Sequence, residues 1–207
     1  MACESRFLVS YNDKLICAHF LNRLKQFDYG TFLHSCRVAE LSINIGELLK
    51  LNKTDLKQIY YTALLHDIGK LKLPHSILHK TGQLDTDEWI IIRKHSQYGV
   101  DILSGYNSKI LTADLIQSIY HHHEHYSGKG YPNGLQGENI PINARIIAIA
   151  DALDAMINPR PYRPMTLAYD EAIGELQIHA GTQFDPYIVK RIIYSQQNLK
   201  GRNENYV

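Results

Sequence analysis

The sequence predicts an all-α protein, a single bundle of about seven to nine helices with one glycine-rich loop. Apolar residues recur at three- and four-residue spacing along most of the chain, and helix-capping signals separate the periodic segments. No stretch alternates apolar and polar residues as a half-buried strand would. With 207 residues, of which 44% are hydrophobic and 21% charged, the chain is long enough to bury a substantial core.

The balance of charges argues against a surface for polyanions. Lys and Arg number 22 and Asp and Glu 21, so we expect no polymeric nucleic acid as a partner. Three cysteines without CxxC spacing favour unpaired thiols in a reducing compartment. No basic and apolar leader opens the sequence, and no apolar run approaches the roughly 20 residues that span a bilayer. We therefore expect a cytoplasmic protein without membrane insertion.

Three helical segments are predicted in the first third of the chain. The first two, 14–28 and 31–50, are amphipathic. The third is expected to begin at a Thr54 cap and to end at the His-Asp pair 66–67, with Gly69 as its C-terminal stop. This pair would then lie on the last turn of a buried helix.

The middle of the chain predicts two helices and one shaped loop. Asp85 and Glu88 have the spacing of a capping box and start a helix that continues to about Leu103. A second helix is expected over 109–124. Segment 127–140 contains four glycines and a proline between aromatic and apolar flanks, which favours a shaped binding loop.

The next segment, 144–157, is apolar on nearly all sides and is therefore expected to be a central helix. Asp151 and Asp154 interrupt it. Because an unpaired buried carboxylate is costly, at least one of them needs a cation or several hydrogen bonds. An ion pair with Arg145 or Arg160 is the alternative to a metal.

Cap signals delimit the closing helices. Asn143 is expected to cap the central helix, and Thr166 to open a helix that continues to His179 after a stiff link over 158–164. Asp185 and the proline after it would start the last helix.

The His66-Asp67 pair is the centre of the predicted site, because an imidazole beside a carboxylate suits a divalent metal. Such a pair alone is commonplace, and its weight comes from other ligand-type residues that the helical pattern distributes around it. The candidate metal ligands are His34, His66, Asp67, His95, His122, His123 and Asp151. Three further histidines, His75, His79 and His121, are expected at the surface.

Several segments, in this order, resemble an HD-GYP domain, a branch of the HD phosphohydrolase superfamily associated with hydrolysis of bacterial cyclic dinucleotides. The matching segments are 34–38, 66–70, His95, 122–124, 128–132, 140–141, 145–154, 160–163 and 181–186. The resemblance covers about residues 30 to 195 and implies an HD-type bundle. It divides the chain into an N-terminal helical extension (1–29), a catalytic domain (30–197) and a polar C-terminal tail (198–207).

The resemblance implies a cyclic di-GMP phosphodiesterase with two divalent metals, iron being the first candidate and manganese the next. One metal would be held by His34, His66, Asp67 and Asp151, and the other by Asp67, His95, His122 and His123. Asp67, as the shared bridge, and Lys70 would be the catalytic residues. The residues implied in substrate binding are Lys70, Tyr131, Arg160 and Arg163.

The chain also departs from the family pattern. Members with a third metal carry a glutamate where this chain has Gly30, so two metals and linear 5′-pGpG as the main product are expected. Segment 125–128 reads His-Tyr-Ser-Gly where members usually have Arg-Trp-Asp-Gly. Two alternatives therefore stay open. One is a catalytically weak cyclic dinucleotide-binding module that signals through a partner protein, and the other is a hydrolase of another cyclic dinucleotide such as cyclic GMP-AMP. A homodimer also stays open as an assembly.

Overall fold

The computed structural model describes residues 7, 10–159 and 165–203, with side chains described as far as residue 197. Within these ranges the chain is helical and contains no β-strand, so the all-α prediction is confirmed. The α-helices are α1 (Tyr11–Phe27), α2 (Tyr29–Leu48), α3 (Lys53–Leu65), α4 (His75–Leu78), α5 (Thr86–Arg93), α6 (His95–Leu103), α7 (Ala113–Tyr120), α8 (Ile142–Ile157), α9 (Tyr169–Ile178) and α10 (Pro186–Asn203). Two 3₁₀ helices, Ile68–Lys72 and Gly137–Asn139, lie in the connections.

The helix predicted over 85–103 is divided at Lys94 into α5 and α6. Its start is as predicted, because the Asp85 carboxylate accepts the N–H of Glu88 and the Glu88 carboxylate accepts the N–H of Asp85, both at 2.9 Å. The division makes His95 the first residue of α6. With this division and the single turn of α4, the described residues contain ten α-helices, one more than the predicted seven to nine.

Two predicted cap positions are wrong. Asn52 rather than Thr54 caps α3, because the Asn52 side-chain oxygen accepts the N–H groups of Thr54 and Asp55 at 2.9 and 3.0 Å. Pro141 occupies the cap position of α8, so Asn143 lies in the first turn of that helix instead. Proline is compatible with this place because it has no N–H to satisfy, and its carbonyl accepts the N–H of Arg145 at 3.1 Å.

Two helices are also shorter than the sequence predicts. The Thr112 hydroxyl accepts the N–H of Leu115 at 3.2 Å and starts α7, which ends at Tyr120 before the histidine triplet. Helix α9 begins at Tyr169, three residues after the predicted start at Thr166. Both differences lie at helix ends, where the apolar period carries the least information.

Helix α8 is central, as predicted, and packs against α2, α3, α7 and α9. Four of its apolar side chains, Ile146, Ile147, Ile149 and Ala150, are fully buried. Helix α2 packs in turn against α1 and α3. The helices that carry or directly precede the predicted ligands at 34, 66 and 151 therefore pack against one another in the core.

Helix α1 is joined to this core and pinned by one buried carboxylate. Phe20 and Leu24 are fully buried in the same hydrophobic cluster as α2 and α8. Asp13 accepts hydrogen bonds from the Ser108 hydroxyl at 2.5 Å and the Lys109 N–H at 3.1 Å, which ties α1 to the segment before α7. The division of the chain at residue 30 stays a prediction.

The last described helix, α10, starts as predicted, with the Asp185 carboxylate accepting the N–H of Tyr187 at 2.8 Å. Its backbone stays helical to Asn203, past the point where the polar tail was expected to begin. No helix in the described ranges is long and apolar enough to cross a bilayer.

Candidate metal centre

Five separate elements bring the predicted ligands to one place. Helix α2 supplies one histidine, the chain just after α3 supplies the His-Asp pair, α6 supplies its first residue, the turn after α7 supplies the histidine doublet, and α8 supplies an aspartate. The residues brought together are His34, His66, Asp67, His95, His122, His123 and Asp151. They form two groups of potential ligand atoms, and a third group, made of His66, Asp67 and His122, links these two.

The first group contains His34, His66 and Asp151, whose ligand atoms lie within 4.8 Å of one another. The Nε2 atom of His34 is 3.0 Å from Oδ1 of Asp151. The Nε2 atom of His66 is buried and has no hydrogen-bond partner among the described residues. A buried nitrogen in that state costs free energy unless a cation accepts its lone pair.

The second group contains His95, His122 and His123. The Nε2 atom of His95 lies 3.2 Å from Nε2 of His122 and 3.1 Å from Nε2 of His123. Three ring nitrogens thus converge on a common point. Imidazole nitrogens in this arrangement are typical ligands of first-row divalent metals.

Three of these histidines are oriented by the same kind of hydrogen bond to the preceding turn of the chain. The Nδ1–H groups of His66, His95 and His122 donate to backbone carbonyls three residues earlier, at 2.7, 2.6 and 2.6 Å. Because a carbonyl oxygen can only accept, Nδ1 carries a proton, and in the uncharged ring the lone pair is then on Nε2. The facing Nε2 atoms of His95 and His122 therefore present lone pairs to each other, which is unfavourable unless a cation lies between them.

Asp67 lies between the two groups. Its Oδ2 atom is 3.7 Å from Nε2 of His34 and 3.4 Å from Nε2 of His66. Its Oδ1 atom is 3.6 Å from Nε2 of His95. Each carboxylate oxygen thus faces a different group, as a bridging ligand requires.

Burial sets the protonation states of the second group. Burial, aided by the neighbouring His66 and His95, lowers the pKa of His122 to about 3. Burial also lowers the pKa of His95, and it holds the pKa of His123 well below its usual value. At neutral pH these rings are uncharged lone-pair donors.

The carboxylates of Asp67 and Asp151 are instead held in their charged form. Burial opposes ionisation of Asp67, but the Lys70 ammonium and His66 outweigh it and hold the pKa of Asp67 well below its usual value. Burial also opposes ionisation of Asp151, and its hydrogen bond with His34 holds that pKa well below the usual range. Two anionic carboxylates beside the uncharged imidazoles of the second group form a donor set that fits divalent cations.

Gly69 brings the two halves of the site into contact. A Cβ atom there would lie 1.8 Å from the carbonyl oxygen of His95 and 2.4 Å from the nitrogen of Gly99, so the 3₁₀ helix packs directly on the backbone of α6. The prediction that Gly69 stops α3 is wrong, since α3 ends at Leu65 and the chain continues into that 3₁₀ helix. The missing side chain is needed for a close approach.

Asp154 is a site residue that sequence reasoning did not assign. Its carboxylate accepts the Nδ1–H of His34 at 2.6 Å and two hydrogen bonds from Arg37 at 2.6 and 3.0 Å. Its place one helical turn after Asp151 was the available signal. The predicted alternative was an ion pair with Arg145 or Arg160. The Arg145 pairing is wrong because Arg145 pairs with Asp185 at 2.5 Å, and Arg160 lies outside the described residues.

The predicted substrate residues are only partly described. The Lys70 ammonium lies 2.6 Å from Oδ2 of Asp67. The Tyr131 ring stacks on the ring of His123 with centroids 4.9 Å apart. Arg160 and Arg163 lie outside the described residues.

The glycine-rich segment is a shaped loop held by Glu124. This buried carboxylate accepts the N–H groups of Asn133 at 2.7 Å and Leu135 at 3.1 Å. A Cβ at Gly130 would lie 2.2 Å from the nitrogen of His125, so the loop packs directly on the chain that follows the histidine doublet. Its shape is fixed next to the predicted ligands.

The histidines predicted at the surface divide into two kinds. His75 and His79 are exposed, and their rings stack with centroids 5.1 Å apart. His121 is buried, so its predicted surface position is wrong. The ring packs beside Tyr120, with Nδ1 3.5 Å from the buried Glu124 carboxylate, because α7 ends one residue earlier and turns the triplet inward.

The family model described as HD domain matches residues 19–188 of this chain. The chain belongs to the HD domain family. The HD-domain phosphohydrolases use divalent metals, and the two groups of ligand atoms described above could hold them.

Relatives of this HD domain include cyclic dinucleotide phosphodiesterases. The "Cyclic di-GMP phosphodiesterase response regulator RpfG" of Xanthomonas campestris pv. campestris is 32% identical over 97% of this chain and 54% of its own length. The "3'3'-cGAMP-specific phosphodiesterase 2" of Vibrio cholerae is 42% identical over 87% of this chain and 34% of its own length. The HD domain thus spans about half of the first relative and a third of the second.

Solved structures support the fold. The HD domain superposes on "Bd1817, a HDG"Y"P protein from Bdellovibrio bacteriovorus" with a TM-score of 0.62 and 22% identity, covering 79% of this chain and 51% of that one. It also superposes on the HD domain of the Listeria monocytogenes phosphodiesterase PgpH with a TM-score of 0.55 and 18% identity, covering 87% and 96%. The expected HD-type bundle is therefore confirmed.

Proposed function

We propose that this HD domain is an HD-GYP phosphodiesterase that hydrolyses a cyclic dinucleotide, with cyclic di-GMP as the first candidate substrate and linear 5′-pGpG as the main product. One observation carries the proposal: two groups of buried imidazoles share a single carboxylate, Asp67, each of whose oxygens faces one group. Paired divalent ions about 3.5–4 Å apart are a recurring solution for phosphodiester hydrolysis.

The proposed ligand sets follow from these groups. His34, His66, Asp67 and Asp151 would hold one ion, and Asp67, His95, His122 and His123 the other. When bound, such ions supply Lewis acidity, which lowers the pKa of a water molecule and neutralises charge on a phosphoryl group. We propose iron first and manganese next, as the family resemblance implies. Mixed imidazole and carboxylate donors accept both of these first-row metals.

The Lys70 ammonium would contact both Asp67 and a phosphate of the substrate. Its ammonium is 2.6 Å from Asp67, and its side chain keeps 16% of its surface exposed. A lysine ammonium has three donors, so one contact with Asp67 leaves others for a phosphate oxygen. The catalytic role that we propose is to hold the scissile phosphate against the metal centre.

The remaining substrate contacts are assigned to Tyr131, Arg160 and Arg163. Tyr131 stacks on the candidate ligand His123, and Arg160 directly follows Pro159, which lines a cavity of about 120 Å³ together with His34. Arginine grips phosphate with parallel hydrogen bonds and stacks on purines, which suits a compact dinucleotide.

Two ions rather than three are supported by the start of α2. Gly30 brings no ligand atom to this cavity. The Asp28 carboxylate, which lines it too, is already used to cap the helix through the N–H of Gly30 at 2.9 Å and the Thr31 hydroxyl at 2.7 Å. Two-metal members of the family that this sequence resembles tend to stop at the linear dinucleotide.

The alternative of a catalytically weak binding module rests on the altered segment 125–128. Backbone hydrogen bonds hold this segment without the aspartate, since the N–H groups of Tyr126 and Ser127 donate to the carbonyls of Gln183 and Thr182 at 3.1 and 2.8 Å. Glu124 secures the rest of the loop. These contacts favour the enzyme.

A second candidate substrate is 3′3′-cyclic GMP-AMP, because the Vibrio cholerae relative named for that substrate is 42% identical over 183 residues. The discriminating experiment is hydrolysis of both dinucleotides by protein purified without oxygen and loaded with Fe(II) or Mn(II). Comparable kcat/KM for the two would overturn the preference for cyclic di-GMP. Absence of turnover by protein that holds both metals would overturn the enzyme and favour the binding module.

A further inference from the structure

An apolar cavity of about 480 Å³ lies beside Lys70 and has no part in the ligand sets. It is formed by the segment from α4 to the end of α5. Its apolar walls include Leu78, Leu84, Trp89 and Ile92, and Gln83 contributes a polar edge. We propose that this cavity is a nucleobase subsite in which one purine of the substrate stacks on Trp89, an inference that rests on the proposed function.

The position of the cavity relative to the metal centre supports this assignment. Lys70 lines it, and the Lys70 ammonium is 2.6 Å from Asp67. The cavity also shares Lys70, Leu78 and Lys80 with the smaller cavity that His34 lines. A phosphodiester that contacts Lys70 would therefore have its flanking nucleoside near the larger cavity.

The chemistry of the walls also fits a nucleotide. Trp89 is 49% exposed, so its ring is open to stacking, and the purine ring is flat and apolar on both faces. Lys70 and Lys80 line the cavity, and their ammonium groups pair with the carboxylates of Asp67 and Glu88. Because an ammonium has three donors, each keeps donors for a phosphate oxygen. The volume falls within the range of small-molecule sites, which are mostly apolar with a few polar groups.

Arg93 connects the subsite to the glycine-rich loop. Its guanidinium carbon lies 5.8 Å from the centroid of the Trp89 ring and 5.1 Å from that of Tyr131. The same cation thus contacts two aromatic residues that lie 42 positions apart in the sequence. A cyclic dinucleotide has two bases, and Trp89 would provide an aromatic surface for one of them.

The helix that carries Trp89 also orients a candidate ligand. Ile92 lines the cavity, and its carbonyl accepts the Nδ1–H of His95 at 2.6 Å. A base bound against α5 therefore has a fixed position relative to the second group of histidines. This arrangement lets base recognition contribute to the position of the phosphodiester.

The test uses the fact that Trp89 is the only tryptophan of the chain. Metal-free protein, which cannot turn over, is titrated with cyclic di-GMP and with 3′3′-cyclic GMP-AMP while tryptophan fluorescence is recorded. Saturable quenching by a stacked purine is expected. An unchanged fluorescence spectrum at dinucleotide concentrations that calorimetry shows to saturate the protein would overturn the subsite. An absence of dinucleotide binding would overturn it as well.

Kinetics of the metal-loaded protein give the second readout. Trp89→Ala should raise KM for cyclic di-GMP about 5- to 150-fold, the range for loss of one base stack, with a much smaller change in kcat. Trp89→Phe should restore most of the loss, because it keeps an aromatic face. The matched control is Ile90→Ala, an exposed neighbour on α5 outside the cavity, which should keep the wild-type constants.

The two proposals can fail separately. If the wild-type protein hydrolyses cyclic di-GMP and Trp89→Ala has an unchanged KM, the subsite is wrong and the proposed function stands. If both metals are bound and the dinucleotide quenches Trp89 without being hydrolysed, the subsite stands and the phosphodiesterase is wrong.

Discussion

Replacing Gly69 with alanine should separate the two halves of the candidate metal centre. The new Cβ would lie 1.8 Å from the His95 carbonyl oxygen, and side chains essentially never approach backbone atoms closer than 3.0 Å. The 3₁₀ helix and α6 would therefore have to move apart by about 1.2 Å. That movement carries His66 and Asp67 away from His95, and a misplacement of about 1 Å can cost about 100-fold in rate.

Two measurements on Gly69→Ala follow from this geometry. Unfolding by urea with a chelator present should show a loss of about 1–3 kcal/mol, the usual cost of overpacking. Titration with Mn(II) should show weaker binding per folded chain, because the two groups of ligand atoms no longer share Asp67 at the same distances. Gly174→Ala is the matched control.

A Cβ at Gly174 meets nothing within 4 Å, and the residue lies inside α9. Gly174→Ala should therefore keep metal binding and gain up to about 1 kcal/mol from helix propensity. Wild-type Mn(II) affinity in Gly69→Ala would refute the argument that close packing of these two backbones positions the ligands.

Three further predictions concern single residues around the centre. Asp154→Asn should weaken metal binding about 10- to 100-fold, as losses of groups that orient metal ligands do, and unchanged Mn(II) affinity would contradict the role given to its bond with His34. Glu124→Gln should raise KM more than it lowers metal content, because one of the two backbone N–H groups that bond to the Glu124 carboxylate loses its acceptor. A loss of metal as large as the rise in KM would instead give Glu124 a structural role. Asp13→Ala should destabilise the protein by about 1–3 kcal/mol at pH 7, measured by urea unfolding. Burial raises the pKa of Asp13, but its hydrogen bonds outweigh this and lower it below 3.8, so the stabilisation is present above that value and should disappear as the pH falls through the folded-state pKa.

Local sequence patterns predicted the parts of the fold that local interactions decide. The capping box at Asp85 and the start of α10 at Asp185 depend on side chains within three residues of the atoms they bond, so the sequence displays them directly. The central place of α8 follows from its apolar character on nearly all sides. The convergence of the predicted ligands was expected from the family pattern that the sequence resembles.

The features that sequence reasoning predicted wrongly or missed depend on contacts between residues that are far apart in the chain or on the direction in which a turn faces. Gly69 was interpreted as a helix stop because the backbone of α6, which makes it necessary, lies 26 or more residues away in the chain. His121 was placed at the surface because nothing local shows that its turn faces Glu124. Asp154 and Arg37 are 117 residues apart, so their pairing could not be predicted from either neighbourhood.

The central claim is that Asp67 joins two metal ions in one centre. The most direct measurement is electron paramagnetic resonance of the Mn(II)-loaded protein, combined with a metal count on the same sample. The account predicts about two manganese ions per chain with an exchange-coupled spectrum, as expected for ions about 3.5–4 Å apart. One ion per chain, or two ions with the spectrum of isolated Mn(II), would contradict it.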